Sequence, residues 1–205
     1  MLRTLLVLVL TLVATSLARA AWESAHWLER GTQAEAKQRH YDTVVFYRRA
    51  ATWYFPLNPW SAKALAKLSK SAARFEQKSD RDLALFAWRG VRGAILSTRS
   101  FYTPHPQTLA RANQRIAALM AAYKPRPKMD EGKTTQALTQ EHLALLEGAQ
   151  GRPHTGWSIG AIVTFLVGLC LLTLAVARPT WKARVPLLLG ATIALAVYLL
   201  SLWLA

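Results

Sequence analysis

Arginine is the side chain in this sequence best suited to binding an anion, and it recurs along AWRGVRGAILSTRSFYTPHP, residues 87–106. The three arginines of this stretch are Arg89, Arg92 and Arg99. On a helical wheel of 100° per residue, they share one sector with Leu85 and Leu96. A freely solvated sector rarely carries two leucines. We therefore expect the arginine stems to lie against apolar surface, with the guanidinium groups reaching outward.

Two glycines, Gly90 and Gly93, interrupt the same predicted helix. Each glycine in a helix interior destabilises the helix by about 1 kcal/mol relative to alanine. Close approach of a neighbouring helix is the simplest feature that would offset this loss. The spacing therefore predicts a central helix that is packed on two of its faces.

An earlier stretch repeats the pattern of the arginine helix. YDTVVFYRRAATW (41–53) and RDLALFAWRGVRG (81–93) align at an offset of 40, with an acid second, phenylalanine sixth and arginine ninth. If the two helices stack in parallel register, Arg49 and Arg89 would project into one groove. Guanidinium groups suit carboxylates and phosphates because they donate in a planar fork.

These residues together predict a basic groove with an aromatic lining. Its candidate residues are Arg48, Arg49, Arg89, Arg92, Arg99, Tyr47 and Tyr102. The expected ligand is an acidic peptide, a partner domain or an anionic lipid headgroup. The alternative is that the arginines pair within the chain, with Asp42, Glu76, Asp80 and Asp82.

Residues 33–101 resemble tetratricopeptide repeats. An aromatic- and alanine-containing helix ends near a proline (Tyr47, Ala50, Pro56), and a further helix pair follows. The period here is 40 residues, against about 34 in that family, and the Trp…Leu-Gly…Tyr signature of its first helix is absent. The resemblance implies a scaffold of helical hairpins that binds proteins, and it identifies no ligand residues.

Sequence patterns for catalysis or metal binding are absent. The five histidines form no HxxxH, HExxH or HxH pair, and the one cysteine, Cys170, lies inside an apolar run. There is no Gly-x-Ser-x-Gly elbow and no glycine-rich phosphate loop after a strand. We therefore predict no catalytic residues, no metal, no cofactor and no enzymatic activity.

An alternative interpretation places an enzyme's acid on the helix that carries Trp22 and Trp27. Those two tryptophans, with Glu23 or Glu29, would then line a sugar-binding cleft in an envelope enzyme acting on cell-wall or lipid substrates. Glu23 and Glu29 lie on different faces of the helix, because six residues correspond to about 600°. The favoured interpretation is that the tryptophans anchor this helix to the bundle or to the membrane surface.

The N-terminal residues 1–20 are typical of a secretory signal peptide. Arg3 supplies the positive charge, Leu5 to Leu17 form an apolar run, and Ala18-Arg19-Ala20 has the small-x-small form of a cleavage site. Cleavage there would leave Ala21 as the first residue. The alternative is an uncleaved signal anchor.

Two uncharged apolar runs near the C-terminus predict a transmembrane hairpin over 157–177 and 185–205. The loop between them, 178–184, carries three basic residues and no acid. Such short basic loops stay in the cytoplasm, which places residues 21–156 outside it. Small residues recur four apart in both runs, as at Gly190 and Ala194, and would allow close helix packing or docking on a membrane partner.

The segment between the signal peptide and the spans predicts helices throughout, and the whole chain is expected to be all-α. We expect a helical repeat-like domain at 21–123, then a linker and an amphipathic helix at 124–156. The predicted helices cover 22–30, 33–55, 59–77, 81–100, 106–123 and 135–147.

The chain is basic, with a net charge of +15, which suggests anionic lipid headgroups, phosphate-bearing wall polymers or acidic proteins as partners. The combined features predict an adaptor protein of a bacterial envelope complex, anchored in the inner membrane by two spans, with its main domain periplasmic. Its expected partners are the membrane, an acidic protein and anionic lipid; nucleic acid is not expected in that compartment. A further alternative is a small component of an export or lipid-transfer assembly, in which the hairpin does the binding.

Overall fold

The computed structural model describes residues 2–100, 102–123, 130 and 132–150. It also describes short pieces of 163–193, at 163–165, 167–168, 170–171, 174–175, 186–187 and 189–193. Six α-helices are assigned along residues 2–148: α1 (Leu2–Ala36), α2 (His40–Thr52), α3 (Pro59–Gln77), α4 (Arg81–Ser97), α5 (Pro106–Ala121) and α6 (Thr135–Gly148). None of the described residues forms a β-strand, so the predicted all-α class is confirmed.

The chain divides into two compact units. One contains residues 15–99 and 103–151, and the other contains residues 1–14, 100–102 and 152–205. The first unit includes most of α1 and all of α2 to α6. It contains all of the predicted site residues except Tyr102, which belongs to the second unit.

The first helix boundary differs from the sequence prediction. The capping-box spacing of Thr32-Gln33-Ala34-Glu35 predicts a new helix after Gly31, but α1 runs through it and ends at Ala36. The Thr32 hydroxyl donates to the Leu28 carbonyl inside the helix (3.0 Å) instead of capping a new one. Gln38, with φ of 56°, ends the helix in the left-handed region, and the Arg39 N–H donates back to the Ala34 carbonyl (2.9 Å). The predicted cleavage site at Ala18–Ala20 lies within α1.

The starts of α3, α4, α5 and α6 match the predicted helix starts at residues 59, 81, 106 and 135. Asn58 accepts from the Trp60 N–H before Pro59 opens α3, and Asp80 accepts from the Leu83 N–H at the start of α4. Thr134 accepts from the Ala137 N–H at the start of α6. Helix α5 begins at Pro106, without a side-chain cap.

Helix α4 occupies the centre of this unit, packed against α2, α3 and α5. Its buried face includes Ala84, Trp88, Val91 and Ile95. Leu68 and Phe75 of α3 and Ile116 of α5 complete this core.

Contacts between α2 and α4 advance in the same direction along both helices. The Tyr41 and Phe86 rings lie 5.5 Å apart, and a Cβ on Gly90 would lie 3.4 Å from Val44. Further along, a Cβ on Gly93 would lie 3.2 Å from Arg48. The two helices are therefore parallel, with α3 packed against both. Both glycines allow a close approach of α2, as the sequence predicted.

Helix α6 packs against α5 within the same compact unit. Leu138 is its buried side chain. The amphipathic helix that the sequence places after the linker is thus part of the helical domain. The predicted linker lies outside the described residues at 124–129.

In the second unit, the described residues of 163–193 are helical. A Cβ on Gly190 would lie 3.1 Å from Cδ1 of Leu171, so the two apolar runs contact each other at this glycine. Within the described part of the chain, no helix is both long and apolar enough to cross a bilayer. Most of the predicted spans, and all of the loop 178–184, lie outside the described residues.

Candidate functional site

Tyr47, predicted to line the basic groove, lies in the core with no exposed surface. Its ring packs on Gly31 of α1, and its hydroxyl donates to Oε2 of Glu35 (2.7 Å). Arg74 and Lys67 of α3 complete this cluster, with nitrogens 3.0 Å and 3.7 Å from the Glu35 carboxylate. The cluster joins α1, α2 and α3 and leaves Tyr47 no access to a ligand.

The environment of this cluster shifts two pKa values. Burial, together with the Glu35 carboxylate, raises the pKa of Tyr47 to about 12. Burial also acts to raise the pKa of Glu35, but the Tyr47 hydrogen bond and the charges of Arg74 and Lys67 outweigh it, so this pKa is lowered. At neutral pH the cluster therefore contains a neutral phenol and an ionised carboxylate.

Arg92 joins three helices. Its Nε donates to Oδ1 of the buried Asn113 on α5 (3.1 Å), and its Nη2 donates to the Leu146 carbonyl on α6 (3.0 Å). Burial lowers the pKa of Arg92 from its ordinary value, although the group stays charged because arginine starts from a very high pKa. The positive charge of Arg92 lies beside the Leu146 carbonyl in the last turn of α6, where it stabilises the negative end of the helix dipole.

The other predicted arginines have different neighbours. Arg48 lies over Gly93, whereas Arg49 stacks on Trp27 of α1, with Cζ 4.0 Å from the ring centroid. Arg89 lies beside α5, with Nη2 3.9 Å from Sδ of Met120. Arg49 therefore contacts α1, whereas Arg89 contacts α5, and the two side chains do not share a groove.

The remaining two predicted residues lie beyond α4. Arg99 is half-buried just after the helix, and Tyr102 is exposed in the connection to α5. The structure thus distributes the seven predicted residues among several environments. The alternative prediction is that the arginines pair with Asp42, Glu76, Asp80 or Asp82. Among the described side chains, Asp42 pairs with Arg39 and Glu76 pairs with Arg115.

Glu23 and Glu29, the candidate acids of the enzyme alternative, have local partners. Glu23 accepts from Nε1 of Trp27 (3.0 Å), and Glu29 accepts from Nε2 of Gln33 (3.3 Å). A large cleft lies between α3 and α5 in this unit. Its lining contains none of the four residues of the enzyme alternative, which are Trp22, Glu23, Trp27 and Glu29.

The cleft between α3 and α5 has a volume of about 770 Å³. Both helices pack on α4, and the buried Trp88 of α4 lines the cleft between them. Small side chains on α3, namely Ala62, Ala66 and Ala73, leave this space open. Helix α4 is antiparallel to α5, since Arg81 bonds Ala122 and Arg92 bonds Asn113.

Cationic side chains converge on this cleft from both walls. Lys70 projects from α3, while Arg111 and Arg115 lie one turn apart on α5. Glu76 is the acid in the lining, and it is already engaged by Nε1 of Trp88 and by Nη1 of Arg115, each at 3.2 Å. Lys70 and Arg111 form no ion pair with any described carboxylate. The cleft is therefore positively charged, with two cations free to bind an anion.

Lys70, Arg111 and Arg115 were not among the residues predicted to bind a ligand. Arg111 and Arg115 have the i, i+4 spacing of one helix face, which is the available sequence signal. That signal is common on solvated helices and does not reveal that a second cationic helix faces it.

No protein-family model matches the chain, and neither a curated protein nor a solved structure is significantly similar to it. The described residues contain no group of three or more histidines, cysteines or carboxylates placed to hold a metal ion.

Proposed function

We propose that this protein is a membrane-anchored helical adaptor of the bacterial envelope. Its extracytoplasmic domain binds an acidic segment of a partner protein in the cleft between α3 and α5. The observation that carries this proposal is the convergence of Lys70, Arg111 and Arg115 on one cleft, with two of these cations unpaired. The chain's net charge of +15 favours encounter with an acidic partner.

The shape of the cleft supports a linear ligand. Along α3 it extends from Ala62 to Gln77, which is roughly 22 Å at 1.5 Å per residue. An extended peptide covers that length with about seven residues. Carboxylates spaced along such a peptide would meet Lys70 on one wall and the two arginines on the other, and Trp88 would contact its apolar atoms.

The repeat-like arrangement supports a scaffold role. Parallel α2 and α4, with α3 packed against both, is the packing expected of stacked helical hairpins such as tetratricopeptide repeats. The proposed export is supported by residues 1–20, which are typical of a signal peptide. The proposed membrane anchoring is supported by the two apolar runs and the basic loop between them. The contact between Leu171 and Gly190 supports pairing of those runs as a hairpin.

A direct binding measurement tests the cleft. The probe is a fluorescein-labelled peptide of ten residues that alternates glutamate and alanine, titrated with the full chain in neutral detergent. We expect anisotropy to show saturable binding that weakens as salt rises. The double variant Lys70→Glu/Arg111→Glu should lose at least about tenfold in affinity, because it reverses both unpaired cations.

The matched control is Lys63→Glu/Lys78→Glu, which changes the net charge equally at two exposed lysines outside the cleft lining. If both double variants weaken binding to the same extent, the peptide responds only to overall charge, and the cleft is not its site.

A further inference from the structure

A second cationic surface lies on α1 and α2, apart from the cleft lining. We call it the α1–α2 aromatic patch, and it consists of Trp22, His26, Trp27, Arg30, Phe46 and Arg49. Every one of these residues follows Ala20, so the patch persists if residues 1–20 are removed.

Two guanidinium groups contact the same indole ring in this patch. Cζ of Arg49 lies 4.0 Å from the centroid of the Trp27 ring, and Cζ of Arg30 lies 5.0 Å from it. Arg30 also lies 5.1 Å from the Phe46 ring, which in turn packs against Trp27. These contacts hold the two cations close together on one surface.

Stacking occupies the face of a guanidinium and leaves its in-plane N–H groups available. Among the described residues, no carboxylate forms an ion pair with Arg30 or Arg49. Glu23 accepts the N–H of Trp27, and Glu29 accepts from Nε2 of Gln33. Two planar forks of N–H donors are therefore free on exposed side chains, and such forks match the oxygens of a phosphate group.

Trp22 adds a strongly exposed aromatic ring to the same patch. It is 63% exposed and stacks on His26, with ring centroids 5.4 Å apart and planes inclined by 9°. Tryptophan rings favour the interface between lipid headgroups and acyl chains. An exposed indole next to phosphate-binding guanidinium groups fits a phospholipid headgroup better than a phosphorylated peptide, because the peptide offers no apolar layer for Trp22.

From this combination we infer that the α1–α2 aromatic patch binds the phosphodiester headgroups of anionic phospholipids and docks this face of the domain on the membrane surface. Arg30 and Arg49 contact the phosphodiester oxygens, and Trp22 lies at the level of the headgroups. The inference goes beyond the adaptor function and requires no ligand in the α3–α5 cleft.

The test titrates the full chain in neutral detergent with short-chain dihexanoyl phosphatidylglycerol and measures binding by microscale thermophoresis. Dihexanoyl phosphatidylcholine has the same acyl chains and no net charge, and we expect it to bind at least about tenfold more weakly. Arg30→Glu/Arg49→Glu should weaken phosphatidylglycerol binding by at least about tenfold, whereas Lys63→Glu/Lys78→Glu should leave it unchanged. Equal binding of the two lipids, or equal loss in both double variants, would overturn the inference.

Further measurements distinguish binding of a lipid phosphate from binding of free phosphate, and they check that the variants are folded. Inorganic phosphate that binds as tightly as phosphatidylglycerol would show a free-anion site and overturn the lipid assignment. Trp22→Ala should weaken lipid binding without changing phosphate binding. Arg30→Lys/Arg49→Lys retains the charge and loses the planar fork, so we expect an unchanged helical circular dichroism spectrum and several-fold weaker lipid binding.

The same variants separate this inference from the proposed function. Lys70→Glu/Arg111→Glu should abolish binding of the acidic peptide and retain binding of phosphatidylglycerol. Arg30→Glu/Arg49→Glu should retain binding of the acidic peptide and lose binding of phosphatidylglycerol. If Arg30→Glu/Arg49→Glu abolishes peptide binding and leaves lipid binding intact, the patch is a protein-binding surface and the lipid assignment is wrong.

Discussion

The ring of Tyr47 packs so closely on Gly31 that a Cβ at position 31 would lie 2.4 Å from Cδ1 of Tyr47. This contact explains why a glycine is needed at this position near the C-terminal end of α1. It also fixes the depth at which α2 packs against α1, and so positions the Tyr47 hydroxyl beside Glu35.

Gly31→Ala should destabilise the domain by about 2 kcal/mol, because the added methyl group forces the buried Tyr47 ring to move. Urea unfolding followed by tryptophan fluorescence measures the change. The matched control is Gly148→Ala in α6, where an added Cβ has no neighbour within 4 Å. We expect the control to alter stability by less than about 0.5 kcal/mol. Equal stability of the two variants would show that the contact with Tyr47 is not tight.

Gly93→Ala should have the opposite outcome to Gly31→Ala. The added Cβ would lie 3.2 Å from Nη2 of Arg48, the end of a flexible and exposed side chain that can move away. The gain in helix propensity then dominates, and we expect unchanged or higher stability, by up to about 1 kcal/mol. The same urea series measures it, and a clear loss of stability would mean that Arg48 is held rigidly on α4.

Ionisation of Tyr47 should lower the free energy of unfolding at alkaline pH. Its pKa is raised to about 12 in the folded protein, against about 10 in the unfolded chain. The stabilisation from the neutral phenol is therefore complete below about pH 10 and is lost as pH rises from there through about 12. Unfolding free energies of the native chain and of Tyr47→Phe, measured from pH 8 to 11.5, should converge above pH 10. A constant difference across that range would contradict the raised pKa.

Arg92→Met should loosen α6 from the rest of the domain. It removes the donors to Asn113 and to the Leu146 carbonyl, and it leaves the buried Asn113 oxygen without this partner. Losing such charge-assisted bonds costs about 1–3 kcal/mol, so amide hydrogen exchange in residues 135–148 should accelerate by about tenfold or more. Arg89→Met is the control, since Arg89 contacts only a weak sulfur acceptor on α5. Similar exchange in the two variants would show that Arg92 does not retain α6.

Predictions from sequence succeeded where the determinant is local. Asn58 and Asp80 accept from N–H groups two or three residues away, so their sequence context was enough to mark the starts of α3 and α4. Gly90 also indicated a close helix neighbour correctly, since a Cβ there would contact Val44 of α2 and Leu68 of α3.

Prediction failed where a distant residue decides the outcome. Thr32 and Glu35 have the spacing of a capping box, yet Glu35 bonds to Tyr47 and Arg74, and α1 continues past both. The neighbours of the predicted arginines also depend on distant residues. Arg49 and Arg89 are equivalent in the repeat, but Arg49 stacks on Trp27 of α1 and Arg89 lies beside Met120 of α5. Equivalence along the sequence does not specify which neighbouring helix a side chain contacts.

The sequence by itself determined the helical class, the later helix starts, the positive charge and the apolar runs, because composition, periodicity and capping act over a few residues. Only the tertiary structure decided which cations share a surface. Lys70 and Arg111 are 41 positions apart in the chain and line one cleft because α3 and α5 both pack on α4 and leave a space between them. Arg30 and Arg49 meet on Trp27 because α2 folds back along α1. The charge is encoded locally, whereas the binding surface depends on helix packing.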